Sequence, residues 1–114
     1  MAWVKDPLPP GLWDTVFARD GGCIAPLVDP NSGPCKSKWG RIIPRTCRRN
    51  QTNGRMTLDH VPPTGGAPRV SSERWSVILC WGHHAYPSYW ETSHRDLERK
   101  WLSDHYPEQG EENA

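Results

Sequence analysis

Cys80 and His83, in the run LCWGHH at positions 79–84, stand at the two-residue spacing of half a metal clamp. That pair constrains the rest of the chain, because little else is available to hold it together. Only 35% of the 114 residues are hydrophobic, and 12 prolines and 10 glycines point to a loop-rich single domain with a thin core. Chains of this kind are stapled by disulfides or by a metal. The opening MAWVKDPLPPGLWD has no apolar leader-like run, and no stretch approaches the length of a membrane span. A cytoplasmic protein with reduced thiols, and so a metal staple, is the expectation.

Zinc favours four tetrahedral sulfur or nitrogen donors, since thiolate and imidazole suit a borderline-soft d¹⁰ ion. Cys80 and His83 supply two, and Cys23, Cys35 and Cys47 are the candidates for the others. Cys23 follows Gly21-Gly22 and Cys35 follows Gly33-Pro34, so each lies in a tight turn that suits a metal knuckle. Cys47 sits in RTCRRN, a setting that suits an exposed basic loop. The expected structural zinc site is therefore Cys23, Cys35, Cys80 and His83, with Cys47 a free thiol. The alternative is four free or partly buried thiols.

The chain reads as α+β. A first helix is expected over about 10–19, with Leu12, Trp13, Val16 and Phe17 as its apolar stripe and Gly21-Gly22 as its stop. RMTLDHV and RWSVILC read as two short strands separated by the wide loop PPTGGAPRVSSE. A helical turn is expected around residues 83–86, cut by Pro87, and a last helix over about 92–105. Ser93 with Asp96 three residues on has the form of a capping box for that helix. Residues 1–107 form the one domain and 108–114 an acidic disordered tail. Trp3, Trp13, Trp75 and Trp101 are expected in or beside the core, because aliphatic residues are few.

A net charge of +1 hides an uneven distribution. No acidic residue lies between Asp29 and Asp59, while Lys36, Lys38, Arg41, Arg45, Arg48, Arg49 and Arg55 do. A one-signed block of this kind suits a polyanion, with a solvated basic loop as the plain alternative. Together with Arg69 and Arg74 it would meet the phosphates of DNA. Trp39, beside Gly40 and between Lys38 and Arg41, is the tryptophan placed to touch nucleic acid.

The second histidine of the pair, His84, has no role in a four-donor clamp. Asp59-His60 ends the first strand, and His84 follows the clamp. Phosphodiester hydrolysis needs a base for water and positive charge for the phosphate. Asp59 and His84 offer a hard oxygen and an imidazole to one divalent ion such as Mg²⁺, Mn²⁺ or Ni²⁺. His60, on the other strand face, suits the base, because the unperturbed pKa of a histidine, about 6.5, fits that work at neutral pH. His94 is the second choice of metal ligand should His84 point away. Each of these residues also has a merely structural reading.

The order of these features, DH on a strand, a Gly-rich loop, an apolar strand and then C-x-x-H-H, resembles the HNH endonucleases with their ββα-metal motif. Residues 14–105 look especially like the short zinc-stapled HNH proteins of phages that infect actinobacteria, through ARDGGCIAP, DPNSGPC, TLDHV, ILCWGHH and YWETSHRDLERKWL. The resemblance implies His60 as general base, Asp59 and His84 as ligands of a catalytic divalent ion, and structural zinc on Cys23, Cys35, Cys80 and His83. It implies cleavage of DNA, the short catalytic helix meeting the minor groove, and a role in phage genome processing beside the terminase. Three features depart from the family pattern. Trp75 stands where the middle Asn is expected, His83 replaces a zinc cysteine, and residues 36–56 form a basic insertion. Trp75 motivates a rival expectation, a non-catalytic HNH-like module that binds DNA or docks on a packaging protein. A transcription-factor type of zinc finger would need a base-reading helix after the clamp, and none is apparent.

Overall fold

Two short strands, β1 (Met56–His60) and β2 (Ser76–Cys80), pair antiparallel in a computed structural model of the chain, which describes residues 10–61, 72–84 and 90–105. Their register sets Met56 opposite Cys80, Asp59 opposite Val77 and His60 opposite Ser76. All five residues of β2 are buried, as expected of a run rich in apolar and β-branched side chains. Only His60 in β1 is partly exposed. The chain is a small α+β fold in which this sheet is flanked by helices α1 (Leu12–Asp20), α2 (Ala25–Val28), α3 (Trp81–His84), α4 (Trp90–Ser93) and α5 (Arg95–His105). Among the described residues no helix is long and apolar enough to cross a membrane.

α1 buries Leu12, Val16 and Phe17 and lies against β2, so its predicted stripe does face the core. It starts two residues later than the prolines suggest, after Gly11, and ends at Gly21; both glycines have positive φ. Its last residue, Asp20, is buried and serves as a clasp. The carboxylate accepts from the Ile78 amide at 2.9 Å, from Trp101 Nε1 at 3.1 Å and from Arg19 Nε at 2.6 Å. Arg19 then reaches the carbonyls of Glu73 and Ser76, both at 2.6 Å. The Ile24 amide caps the Ile78 carbonyl at 3.0 Å. The outer edge of β2 is thereby satisfied by side chain and loop, not left open for pairing. Losing Asp20 would strand the Ile78 amide and the Trp101 indole, at about 1–3 kcal/mol each.

Three local expectations give way. The helical turn expected at 83–86 begins earlier, at Trp81, because the Trp81 amide is taken by the Arg55 carbonyl at 2.7 Å as the strand ends. The single helix expected over 92–105 is two helices broken at His94. The Ser93–Asp96 capping box does not form. Ser93 Oγ instead donates back to the Trp90 carbonyl at 3.2 Å. His94 stacks on Trp90 at 4.2 Å between ring centroids, and its Nε2 meets Asp29 Oδ2 at 3.1 Å. Trp13, Trp75 and Trp101 pack at the margin of the core, whereas Trp90 is, among the described residues, the tryptophan within it. Trp3, the loop around Pro87 and the acidic tail lie outside the described residues.

Candidate metal centres

Four donors converge where the loop after α1, the loop before the basic segment and the β2–α3 corner meet. Cys23, Cys35, Cys80 and His83 are all buried, and their donor atoms lie within 4.8 Å of one another. Tetrahedral zinc with bonds of about 2.3 Å to sulfur needs sulfurs about 3.8 Å apart, so a small contraction would close the shell. His83 Nδ1 lies 3.0 Å from the Cys80 sulfur and 3.6 Å from that of Cys23, while Nε2 lies 2.9 Å from the Ser32 carbonyl. A carbonyl can only accept, so Nε2 carries a hydrogen, and Nδ1 is the nitrogen that faces the sulfurs. Nδ1 is therefore the atom that a metal held by the sulfurs would take.

The backbone around the quartet is built for this approach. A Cβ at Gly22, whose φ is +142°, would lie 1.8 Å from the Arg45 carbonyl oxygen, which accepts from the Cys23 amide at 2.8 Å. Arg45 turns inward to the carbonyls of Cys23 at 3.0 Å and Asp20 at 2.9 Å. The Lys36 amide points at the Cys80 sulfur from 3.4 Å. Burial pushes the Cys23 thiol well above its ordinary value, and neighbouring Cys35 and Cys80 push the same way. Hydrogen bonds from Cys23 and Cys35 lower the Cys80 thiol. Burial opposes charge on His83, but Cys35 and Cys80 outweigh it and raise its pKa to about 10. Three crowded sulfurs in a dry volume call for positive charge at their centre. The cluster is compatible with a structural metal such as zinc. Cys47 is half-buried beside the core and outside this quartet.

The second cluster lies one residue further along. Successive residues of a helix are turned by about 100°, so with His83 facing the sulfurs His84 faces β1. There Asp59, His84 and Glu91 bring one donor atom each within 4.8 Å of one another. His84 Nε2 is 3.6 Å from Asp59 Oδ1 and 4.0 Å from Glu91 Oε2. Its Nδ1 is hydrogen-bonded to Thr57 Oγ1. The Thr57 hydroxyl donates to the Leu79 carbonyl at 2.9 Å, so towards His84 it accepts. Nδ1 therefore carries a hydrogen, and Nε2 is the nitrogen turned to the carboxylates.

Both carboxylates are held inside the fold. The Asp59 side chain is 1% exposed, and its Oδ2 accepts from Arg95 Nη1 at 2.7 Å, which leaves Oδ1 directed at His84. Arg95 also bonds Glu98 Oε1 at 2.8 Å. Burial, with Asp59 adding, pushes the Glu98 pKa up to about 11 against the pull of Arg95. Burial likewise raises Glu91; the Asp59 charge adds to this, while His84 and Arg95 offset part of it. Glu91 Oε1 is buried with no hydrogen-bond partner among the described residues. Two carboxylates and an imidazole nitrogen drawn together, one carboxylate having an oxygen left without a partner, fit a divalent cation.

The sequence-derived residues fall into place unevenly. Asp59 and His84 meet, and His94 is engaged with Asp29 and Trp90 outside the cluster. His60 ends β1, half-buried, on the strand face opposite Asp59. Lys36, Lys38, Arg41, Arg48 and Arg49 are exposed, Arg45 faces inward, and Arg55 is half-buried with Nη1 on the Asn53 carbonyl. The Arg74 guanidinium lies 3.9 Å from the Trp75 ring centroid, and Arg69 lies outside the described residues. Glu91, Thr57 and Arg95 were not singled out by sequence. In YWETSH nothing marks the glutamate, and Arg95 is 36 positions from the aspartate that it grips. Comparisons with protein-family models, curated proteins and solved structures returned no match.

Proposed function

We propose that the chain is a metal-dependent endonuclease of the HNH type, a zinc-stapled ββα-metal domain that hydrolyses phosphodiester bonds of DNA. The observation that carries this reading is the convergence of Asp59, His84 and Glu91 beside the closed cysteine–histidine quartet, with His60 next in sequence to Asp59. A divalent ion bound there would stabilise charge on the scissile phosphate and the leaving oxygen. Thr57 holds His84 in the ligand tautomer, and Arg95 aims Asp59 by occupying its other oxygen. His60 takes a proton from the attacking water as the new P–O bond forms. The P–O3′ bond breaks, and the 3′ oxygen leaves to be protonated by solvent.

The missing Asn bears on His60. In its place the Trp75 carbonyl accepts the Val61 amide at 2.8 Å, a backbone bond that fixes the residue after His60. This supports a held base despite the substitution. By the same resemblance we assign the activity to phage genome processing, with DNA as substrate and the packaging terminase as partner.

The test is plasmid nicking by zinc-loaded protein across added Mg²⁺, Mn²⁺, Ni²⁺ and Co²⁺, with His60→Ala alongside. Nicking that needs the added ion and falls by about 10²–10⁴-fold in the variant is expected, the usual worth of a general base. Wild-type nicking that persists unchanged in His60→Ala would overturn it. The presence of Trp75 favours the second reading, a non-catalytic module that binds DNA or docks on a packaging protein. Intact plasmid under every ion, together with a salt-sensitive gel shift, would select that reading.

A further inference from the structure

The most exposed large apolar side chains among the described residues are Trp39, 69% exposed, and Ile42, 67% exposed. They share one small turn. The Gly40 amide reaches the Ser37 carbonyl at 3.0 Å with Gly40 at φ +79°, and the Ser37 amide reaches the Arg41 carbonyl at 2.8 Å. Buried Ser37 takes the amides of Trp39 and Arg41 on its hydroxyl at 3.3 and 3.2 Å. A bridge between Lys36 and Ile42 closes the base of the turn. Two outward apolar residues on so well-tied a turn are not accounted for by the core.

The indole is also held in place. A Cβ on Gly54 would come within 3.0 Å of the Trp39 ring, so the bare glycine lets the ring lie across the backbone there. The Arg55 guanidinium is 5.3 Å from the ring centroid. Lys38 donates its amide to the Gly54 carbonyl at 2.7 Å and sets its ammonium 5.2 Å from the Trp81 ring. Trp81 opens α3, the four-residue helix that ends in His84, and the Lys36 carbonyl accepts from Gly82 on it at 2.9 Å. The turn is thus fastened to the helix that carries the candidate catalytic histidine. Around it every formal charge from residue 30 to residue 58 is positive.

We propose that this turn is a docking surface for an unpaired stretch of nucleic acid, with a base stacked on Trp39, its neighbour against Ile42, and the flanking phosphates on Lys38 and Arg41. A flat ring fixed on a cationic ledge offers a face to any base, without reading its identity. Bases in a duplex already spend both faces on their neighbours, and unstacking them costs a few kcal/mol per step, so an unpaired segment is favoured. The one-signed charge selects a polyanion over an apolar peptide. The proposal rests on the nuclease reading only for its purpose, which is to set an unpaired segment at a fixed offset from the scissile phosphate.

The experiment is fluorescence anisotropy of labelled oligothymidylate, and of a blunt duplex, with the zinc-loaded full chain and no added catalytic ion. Wild type, Trp39→Ala, Trp39→Phe and Ile42→Ser are compared, with zinc content and melting temperature confirming that each is folded. Tighter binding of the single strand than of the duplex is expected. Trp39→Ala should lose about fivefold or more, the alanine-scan worth of one base–aromatic stack, and Trp39→Phe should recover most of it. Equal binding by wild type and Trp39→Ala, an equal loss in Trp39→Phe, or a duplex bound as tightly as the strand would each overturn the proposal. Plasmid nicking keeps the two readings apart. Trp39-dependent binding without nicking leaves this surface standing and removes the nuclease; nicking with Trp39-independent binding does the reverse.

Discussion

The two donor clusters share the β2–α3 corner, and His83 and His84 are adjacent, yet their surroundings differ in kind. Cys23, Cys35, Cys80 and His83 are buried and make a complete set of four soft donors. Asp59, His84 and Glu91 offer two oxygens and a nitrogen, one short of a tetrahedron, and the His84 side chain is 29% exposed. A closed four-donor shell is what a structural metal uses, whereas an incomplete shell of harder donors leaves a position for water or substrate. The turn of about 100° between neighbouring histidines is enough to separate holding the fold from the proposed chemistry.

The largest effect that would break this comparison lies on the closed side. Cys80→Ser, or removal of the metal by a strong chelator, should abolish cooperative thermal unfolding by circular dichroism, because structural zinc contributes about 10–16 kcal/mol in small zinc domains. A melt unchanged by both, with no zinc by elemental analysis, would remove the staple. On the open side, Arg95→Met leaves Asp59 and Glu98 without their shared cation. It should lower unfolding free energy in urea by roughly 3–5 kcal/mol, as when one partner of a buried pair is deleted. Loss of nicking without loss of stability would instead make Arg95 a residue of the chemistry alone.

Smaller changes sharpen the distinction. Thr57→Val should weaken the exchangeable ion by about 10–100-fold, the usual worth of an outer partner that fixes a ligand tautomer, and Glu91→Gln by at least as much. Both are read from the Mn²⁺ dependence of nicking, and neither should release zinc. Cys47→Ser should release no zinc and change stability by no more than about 1 kcal/mol, as it lies outside both clusters at the margin of the core.

What sequence could supply follows from how local each signal is. Cys80-x-x-His83 and Asp59-His60 are marked by neighbours, and the two strands by apolar and β-branched runs, so both were legible. Glu91 was not, because its approach to His84 depends on where the chain re-enters at α4. Arg95 and Thr57 act by long-range contacts that no spacing encodes. The capping box failed because Ser93 had a nearer acceptor in the Trp90 carbonyl, and because His94 is drawn to Trp90 and Asp29. The Asp20 clasp, joining α1, β2 and α5, was equally invisible: one buried aspartate carries no periodicity.

The most direct test of the two-centre account is a Mn²⁺ titration of zinc-loaded protein followed by electron paramagnetic resonance, with Asp59→Asn run in parallel and zinc assayed throughout. The account predicts that the chain keeps its zinc and takes up one further Mn²⁺, and that Asp59→Asn loses the Mn²⁺ while keeping the zinc. Manganese that displaces zinc, or that binds Asp59→Asn as well as wild type, would contradict it.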